Sequence, residues 1–125
     1  MSLRSPLGHA RGLGSAKTGA HHFWMQRLSA VALVPLTLWF VFSVAQLSGA
    51  SYTGVLHWVR EPVSAVALVL FLTALLYHSM LGVQVVIEDY VHHEGVKLTS
   101  LVLSKFAHLT VAAASIFAVL KVALG

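Results

Sequence analysis

Three long runs of apolar residues dominate the sequence, and short polar segments separate them. The runs cover about residues 28–47, 63–87 and 101–124. Each is long enough to cross the hydrocarbon core of a bilayer as an α-helix, which takes about 20 residues. Because lipid cannot satisfy exposed backbone N–H and C=O groups, such a run is expected to be helical. The pattern therefore predicts an all-α membrane protein with three transmembrane helices.

The polar segments have the composition of a tail and two connections. Residues 1–26 are rich in Gly and Ser and contain no acidic residue, which is typical of an N-terminal tail outside the bilayer. The first connection, residues 48–62, carries glycines and interfacial aromatic residues, and it ends at Pro62, which is predicted to start the second helix. The second connection runs from about residue 88 to residue 100.

The basic residues predict the orientation of the chain in the membrane. Cytoplasmic segments carry an excess of Lys and Arg. The tail and the second connection share five bases, Arg4, Arg11, Lys17, Arg27 and Lys97, whereas the first connection and the C-terminus have Arg60 and Lys121. We therefore expect the N-terminus to be cytoplasmic and, with three spans, the C-terminus to be periplasmic.

Composition narrows the classes of function. Apolar residues make up 58% of the chain and charged residues 10%, a balance too apolar for a soluble domain of 125 residues. Cysteine is absent, so the chain has no disulfide, no thiolate nucleophile and no cysteine-ligated zinc or iron–sulfur cluster. The net charge of +4 comes from bases spread along the chain, so it indicates membrane topology and no nucleic-acid partner.

His78 is the candidate for cofactor chemistry, because it is an ionisable residue near the centre of the second span. At 100° per residue, Gly82, Val85 and Asp89 fall within about 40° of His78 on one face of the helix. One interpretation is that the imidazole ligates haem iron while the glycine leaves room for the porphyrin edge. The other is that His78 bonds a neighbouring helix and Gly82 allows close packing. The spacing leaves both open.

His108 is the other histidine inside a predicted span. His78 lies about 18 Å from the cytoplasmic end of its helix, and His108 is expected nearer to that end of its own. This difference in depth favours a second axial ligand from a partner subunit, with His108 a packing or interfacial histidine.

Asp89 and Tyr90 end the second span at the cytoplasmic interface. They can be boundary residues of the aromatic belt. Alternatively, the phenol of Tyr90 donates a hydrogen bond to a quinone carbonyl, while Asp89 or a nearby base such as Arg27 transfers protons that arrive from the cytoplasm. Spacing alone does not decide between these interpretations.

The segment from Tyr77 to Val91, YHSMLGVQVVIEDYV, resembles the H-x-x-x-G…D-Y segment of succinate dehydrogenase hydrophobic membrane anchor subunits. A weaker resemblance covers Gly19-Ala20-His21-His22-Phe23 through Arg27, and together the likeness extends over most of the chain after residue 15. The Ser-x-x-His-Arg segment of the paired cytochrome b subunit is not found. The resemblance is therefore to the anchor subunit.

This resemblance implies roles for five residues. His78 would be one axial ligand of haem b, and the cytochrome b subunit would supply the other. Tyr90 would contact ubiquinone, and Asp89 would support that pocket. Arg27 would lie near the haem propionates or the quinone, and His21 near a propionate or a subunit interface.

The resemblance also implies a multi-pass protein of a bacterial inner membrane. The flavoprotein and iron–sulfur subunits would dock on its cytoplasmic face and carry the succinate chemistry, so this chain would be a non-catalytic subunit. The competing hypotheses are a small structural or assembly membrane protein without a cofactor and a transporter or channel fragment. A single midplane histidine gives a poor path for ions.

Overall fold

The computed structural model of the protein describes residues 5–7 and 17–125. Between residues 17 and 125 it consists of four helices without strands: α1 (Lys17–Gln46), α2 (Tyr52–Arg60), α3 (Pro62–Tyr90) and α4 (Glu94–Leu124). Three segments, Gly19–Gln46, Pro62–Tyr90 and Glu94–Leu124, are long and apolar enough to cross a membrane. The predicted all-α fold with three transmembrane helices is confirmed.

The spanning helices are longer than the apolar runs that predicted them. α1 begins at Lys17, inside the predicted tail, and only residues 91–93 separate α3 from α4. The 29 residues of α3 measure about 43 Å along the axis, against about 30 Å for the hydrocarbon core. A helix keeps its backbone hydrogen bonds among the lipid headgroups as well as in the core, so it need not end where charged side chains begin.

The first connection contains a helix, α2, that the apolar pattern did not predict. Ser51 caps it, with the Oγ atom accepting a hydrogen bond from the backbone N–H of Gly54 at 3.2 Å. The ring of Trp58 stacks on that of Trp39 in α1, with 5.7 Å between ring centroids. Pro62 lies in the first turn of α3, as predicted. This ring stack links α2 to α1, while the backbone of α2 packs on α3 and α4.

The three spanning helices lie in a row with α3 in the middle. α3 packs on both α1 and α4, whereas in the described part of the chain no Cα atom of α1 comes within 8 Å of α4. Small side chains lie where α1 and α3 approach, including the buried Ser29, Ser43 and Ser64. Further along, Phe40 and Phe71 stack with their centroids 4.8 Å apart. Successive spans run antiparallel.

This row leaves much apolar surface uncovered. Among the described residues, the buried apolar side chains all belong to α3: Ala65, Leu68, Phe71 and Leu81. No residue of α4 is buried. The outer faces of α1 and α4 are thus available to lipid or to partner helices. The site described next opens on one such face, between α1 and α3.

Candidate functional site

His78 lies on the face of α3 that meets α1, and one of its two ring nitrogens has a partner. The Nδ1 atom is 3.0 Å from the Oγ atom of Ser29. That same Oγ atom is 3.0 Å from the backbone oxygen of Gln26, one turn earlier in α1. In the described part of the chain the Nε2 atom of His78 has no hydrogen-bond partner, and it is not enclosed by protein atoms. His78 is therefore held from one side and open on the other.

The open side faces a groove of about 570 Å³ between α1 and α3. The α3 wall consists of His78, Gly82 and Val85. The α1 wall consists of Gly19, His22, Phe23, Gln26, Arg27 and Ala30. The helical period had placed the three α3 residues on one face, and the structure brings them to one wall. Asp89, the fourth residue of that stripe, does not line the groove.

Gly82 leaves open space in front of His78. A Cβ atom built on this glycine would meet no atom within 4 Å outside its own helix backbone and immediate neighbours. Gly82 therefore does not let two helices of this chain approach closely, whereas the other part of that interpretation, a bond from His78 to a neighbouring helix, is present with Ser29. The absent side chain widens the groove next to the imidazole, where a flat ligand can lie against the helix.

Polar groups without partners lie on the α1 wall. The Nε2 atom of His22 and the Oε1 atom of Gln26 are buried and have no hydrogen-bond partner. The guanidinium of Arg27 lies 5.1 Å from the ring centroid of Phe23, and no ion pair engages it among the described residues. This wall therefore carries a cation without a protein counter-ion, which suits an anionic group on a ligand.

His21 is the histidine of α1 that the resemblance implies as a contact, but the groove is lined by its neighbour His22. His21 is exposed and does not line the groove, whereas His22 does. His22, Gln26 and Ser29 were missed, although they recur at i, i+4 and i+7 and thus share one face of α1. This spacing is the feature of the sequence from which the face of α1 that meets His78 could have been predicted.

Asp89 and Tyr90 lie at the end of α3, beyond the groove. Both side chains are exposed, Tyr90 to 77%. Neither has a hydrogen bond to another described residue. Along the helix axis Tyr90 is about 18 Å from His78. The residues predicted to bind quinone are thus separate from the groove within this chain.

His108 uses both of its ring nitrogens within the protein. Its Nδ1–H donates to the backbone oxygen of Ser104 at 2.8 Å, and its Nε2 accepts from the hydroxyl of Ser79 at 3.1 Å. The prediction of a packing histidine is confirmed. The predicted difference in depth between His78 and His108 is wrong. His108 bonds Ser79, which is next to His78 in α3, so the two histidines lie at similar depths. α4 begins at Glu94, so His108 lies about 21 Å into its helix.

The residues that bind metal ions most readily do not cluster here. In the described ranges no three His, Cys, Asp or Glu side chains are close enough to hold a bare metal ion together. A haem iron differs, because the porphyrin supplies four ligands and the protein need supply only the axial ones. One open imidazole in this chain is sufficient for half of such a site.

Comparison with known proteins agrees with this architecture. The family model described as succinate dehydrogenase/fumarate reductase transmembrane subunit matches residues 1–120. The hydrophobic membrane anchor subunit of succinate dehydrogenase from Rickettsia bellii (strain RML369-C) is 33% identical over 89% of this chain and 90% of its own length. The corresponding subunit of Paracoccus denitrificans is 33% identical over 100% of this chain and 96% of its own length.

A third relative is the succinate dehydrogenase membrane anchor subunit of Reclinomonas americana, which is 34% identical over 70% of this chain and 75% of its own length. No solved structure matches. The family match covers nearly the whole sequence, the Paracoccus denitrificans subunit aligns with all of it, and the three spans have the length an anchor requires. The chain therefore belongs to the family of succinate dehydrogenase and fumarate reductase transmembrane subunits, as a membrane anchor subunit of succinate dehydrogenase.

Proposed function

We propose that this chain supplies one axial ligand of a haem b, His78, and part of a ubiquinone site. The observation that carries the proposal is the state of His78. Its Nδ1 atom is engaged by Ser29, its Nε2 atom has no partner among the described residues, and its side chain lines the groove beside Gly82. An imidazole that ligates iron needs this arrangement, with one nitrogen held by a hydrogen bond and the other presenting its lone pair.

The groove residues fit a haem. Gly82 provides a flat surface beside the ligand, and Val85 continues the apolar wall towards the end of α3. Arg27 and His22 lie on the opposite wall, in the part of α1 that precedes Ser29, where carboxylates would find a cation and a ring N–H donor. A bound haem b would supply one-electron transfer. Because His108 has no unbonded nitrogen, the second axial ligand comes from the partner cytochrome b subunit.

The quinone part of the proposal concerns Tyr90 and Asp89. Both are exposed at the end of α3, so a partner subunit can complete a pocket around them. The phenol of Tyr90 donates a hydrogen bond to a ubiquinone carbonyl oxygen and stabilises the negative charge that develops there on reduction. Asp89 supports that pocket and can pass a proton to the reduced oxygen.

We further propose the orientation and assembly of the chain. The start of α1 and the connection between α3 and α4 lie on the cytoplasmic side of a bacterial inner membrane, an orientation that the distribution of Lys and Arg supports. Tyr90 then lies at the cytoplasmic boundary. The flavoprotein and iron–sulfur subunits dock there and deliver electrons from succinate, and the cytochrome b subunit covers the open face of α1 and α3.

Purification of the intact complex through a tag on this chain tests the proposal. Mass spectrometry identifies the co-purifying subunits, and a pyridine haemochrome assay counts haem per complex. We expect His78→Ala to lose the low-spin b-type spectrum. His57→Ala, an exposed histidine of α2 at the opposite end of the helix row, is the matched control and should keep it. An unchanged spectrum in His78→Ala would remove His78 from the ligands and leave an anchor without a haem role.

A further inference from the structure

The hydroxyl of Ser29 stands between two acceptor-capable atoms, and a hydroxyl has one proton to donate. The backbone oxygen of Gln26 can only accept, and it lies 3.0 Å from the Oγ atom. The Nδ1 atom of His78 lies at the same distance on the other side. If the single proton goes to Gln26, the hydroxyl oxygen can only accept from His78. The proton of the neutral imidazole is then on Nδ1.

We infer that Ser29 is the positioning residue that fixes the tautomer of His78 and tunes the electron donation of its Nε2 atom to haem iron. The inference rests on the proposed function, since it assumes that His78 is the axial ligand. It adds that the axial ligand on α3 is oriented within this chain, by a residue of α1.

Burial makes this hydrogen bond effective. Ser29 is 8% exposed, and it lies where α1 packs on α3. Water competes poorly for a hydroxyl in such a place, and a hydrogen bond is stronger in a low-dielectric surrounding. The bond also restrains rotation of the imidazole about χ2, so that the open nitrogen keeps facing the groove. The i−3 bond from Ser29 to Gln26 holds the hydroxyl itself in place.

The electronic consequence has a definite sign. An acceptor on the N–H of a ligating imidazole raises the basicity of the ligand and thereby favours the oxidised iron. Loss of that acceptor should favour the reduced iron and make the midpoint potential of the haem more positive. The shift should occur while His78 still ligates the iron, because the imidazole itself is unchanged.

The test is a redox titration of the purified four-subunit complex carrying Ser29→Ala, followed by its visible absorption and its low-temperature electron paramagnetic resonance. We expect a low-spin haem at wild-type stoichiometry with a more positive midpoint potential. Ser29→Cys keeps most of the side-chain volume but offers only a weak acceptor. It should shift the potential in the same direction, and it replaces Ser29→Ala if that variant fails to assemble. Ser29→Thr keeps the hydroxyl and should restore the wild-type value.

Ser79→Ala is the matched control. Ser79 is next to His78 in the chain and bonds a histidine, but that histidine is His108. We expect it to leave the haem potential unchanged. A wild-type potential in Ser29→Ala or Ser29→Cys would overturn the inference, as would equal shifts in the Ser29 and Ser79 variants. The proposed function fails separately, if His78→Ala keeps the b-type spectrum.

Discussion

His78 and His108 are two histidines at nearly the same depth of one helix row, and they differ in what their nitrogens contact. His78 bonds Ser29 of α1 through Nδ1 and leaves Nε2 open to a groove. His108 donates to Ser104 within α4 and accepts from Ser79 of α3, so neither nitrogen is open. One histidine is available to a ligand, and the other joins two helices.

The difference arises from adjacent positions on α3. Residues 78 and 79 point about 100° apart, so one faces α1 and the other faces α4. His108 has one partner in α4 and one in α3, whereas His78 has a single hydroxyl partner in α1 and otherwise lines a groove. An imidazole in a membrane protein is therefore a candidate ligand when the surrounding helices leave one nitrogen without a partner, whatever its depth.

The largest expected effect separates the two histidines directly. We expect His78→Ala to remove nearly all low-spin haem from the purified complex, because an axial ligand is lost. His108→Ala should retain haem at wild-type stoichiometry, because its nitrogens are already engaged within the protein. Haem per complex, measured on both variants prepared in parallel, checks this. Equal haem loss in the two variants would mean that haem binding depends on the depth of a histidine in the membrane and not on a ring nitrogen without a partner.

A second prediction concerns the space beside His78. Gly82→Leu meets no obstacle close to its Cβ atom in this chain, so the helices should pack as before. A haem in the groove would collide with the new side chain, and overpacking costs about 1–3 kcal/mol. That corresponds to a fall of about five- to 150-fold in haem affinity. The measurement is haem retention during dilution of the complex.

Val83→Leu provides the control for that substitution, since residue 83 is about 100° around the helix from Gly82 and does not line the groove. We expect normal haem retention from it. If Gly82→Leu also retains haem normally, the ligand does not lie against this face of α3.

The sequence was sufficient to predict the three spans, because a helix that crosses lipid must be long and apolar and both properties can be read from the residues. It did not reveal where the helices end. Polar residues such as those at the start of α1 and around Glu94 continue a helix as readily as apolar ones once it has left the hydrocarbon. The helix α2 was not predicted for a related reason. It is short, and it packs on α3 and α4 while Trp58 stacks on Trp39 of α1, contacts that no local pattern reveals.

For the site, helical spacing correctly grouped His78, Gly82 and Val85, since that grouping depends on α3 alone. The opposite wall depends on how α1 is rotated against α3, which no local pattern reveals. The resemblance implied a contact for His21, and its neighbour His22 is the histidine of α1 that lines the groove. Ser29 was overlooked because a serine in an apolar run has significance only when its neighbour across the interface is known.

A third prediction separates His78 from the far end of α3. Tyr90→Phe keeps the ring and removes only the hydroxyl, which is about 18 Å from His78 along the helix. We expect normal haem, normal succinate oxidation with a soluble dye, and ubiquinone reduction slower by at least about tenfold, or roughly 1.4 kcal/mol. Equal loss of dye and quinone activities would indicate damaged docking of the soluble subunits. Wild-type quinone reduction would make Tyr90 a boundary residue.

The smallest expected effect concerns the bond between His108 and Ser79, which links α3 to α4 near the buried Leu81. Hydrogen bonds between membrane helices contribute about 0.6 kcal/mol on average and at most about 1.7, because polar groups also find partners in the unfolded state. We expect a double-mutant cycle of Ser79→Ala and His108→Ala to give a coupling free energy in this range.

The cycle is measured as the free energy of unfolding of the assembled complex, in a detergent titration followed by tryptophan fluorescence. His108→Ala alone should destabilise more than Ser79→Ala, since it also leaves the backbone oxygen of Ser104 without the ring N–H that it accepts. The coupling should be the same in complexes that retain haem and in the haem-free His78→Ala complex, because no bond of His108 involves the groove. A coupling that vanished with the haem would show that the two histidines act together, and the distinction between an open and an engaged imidazole would not hold.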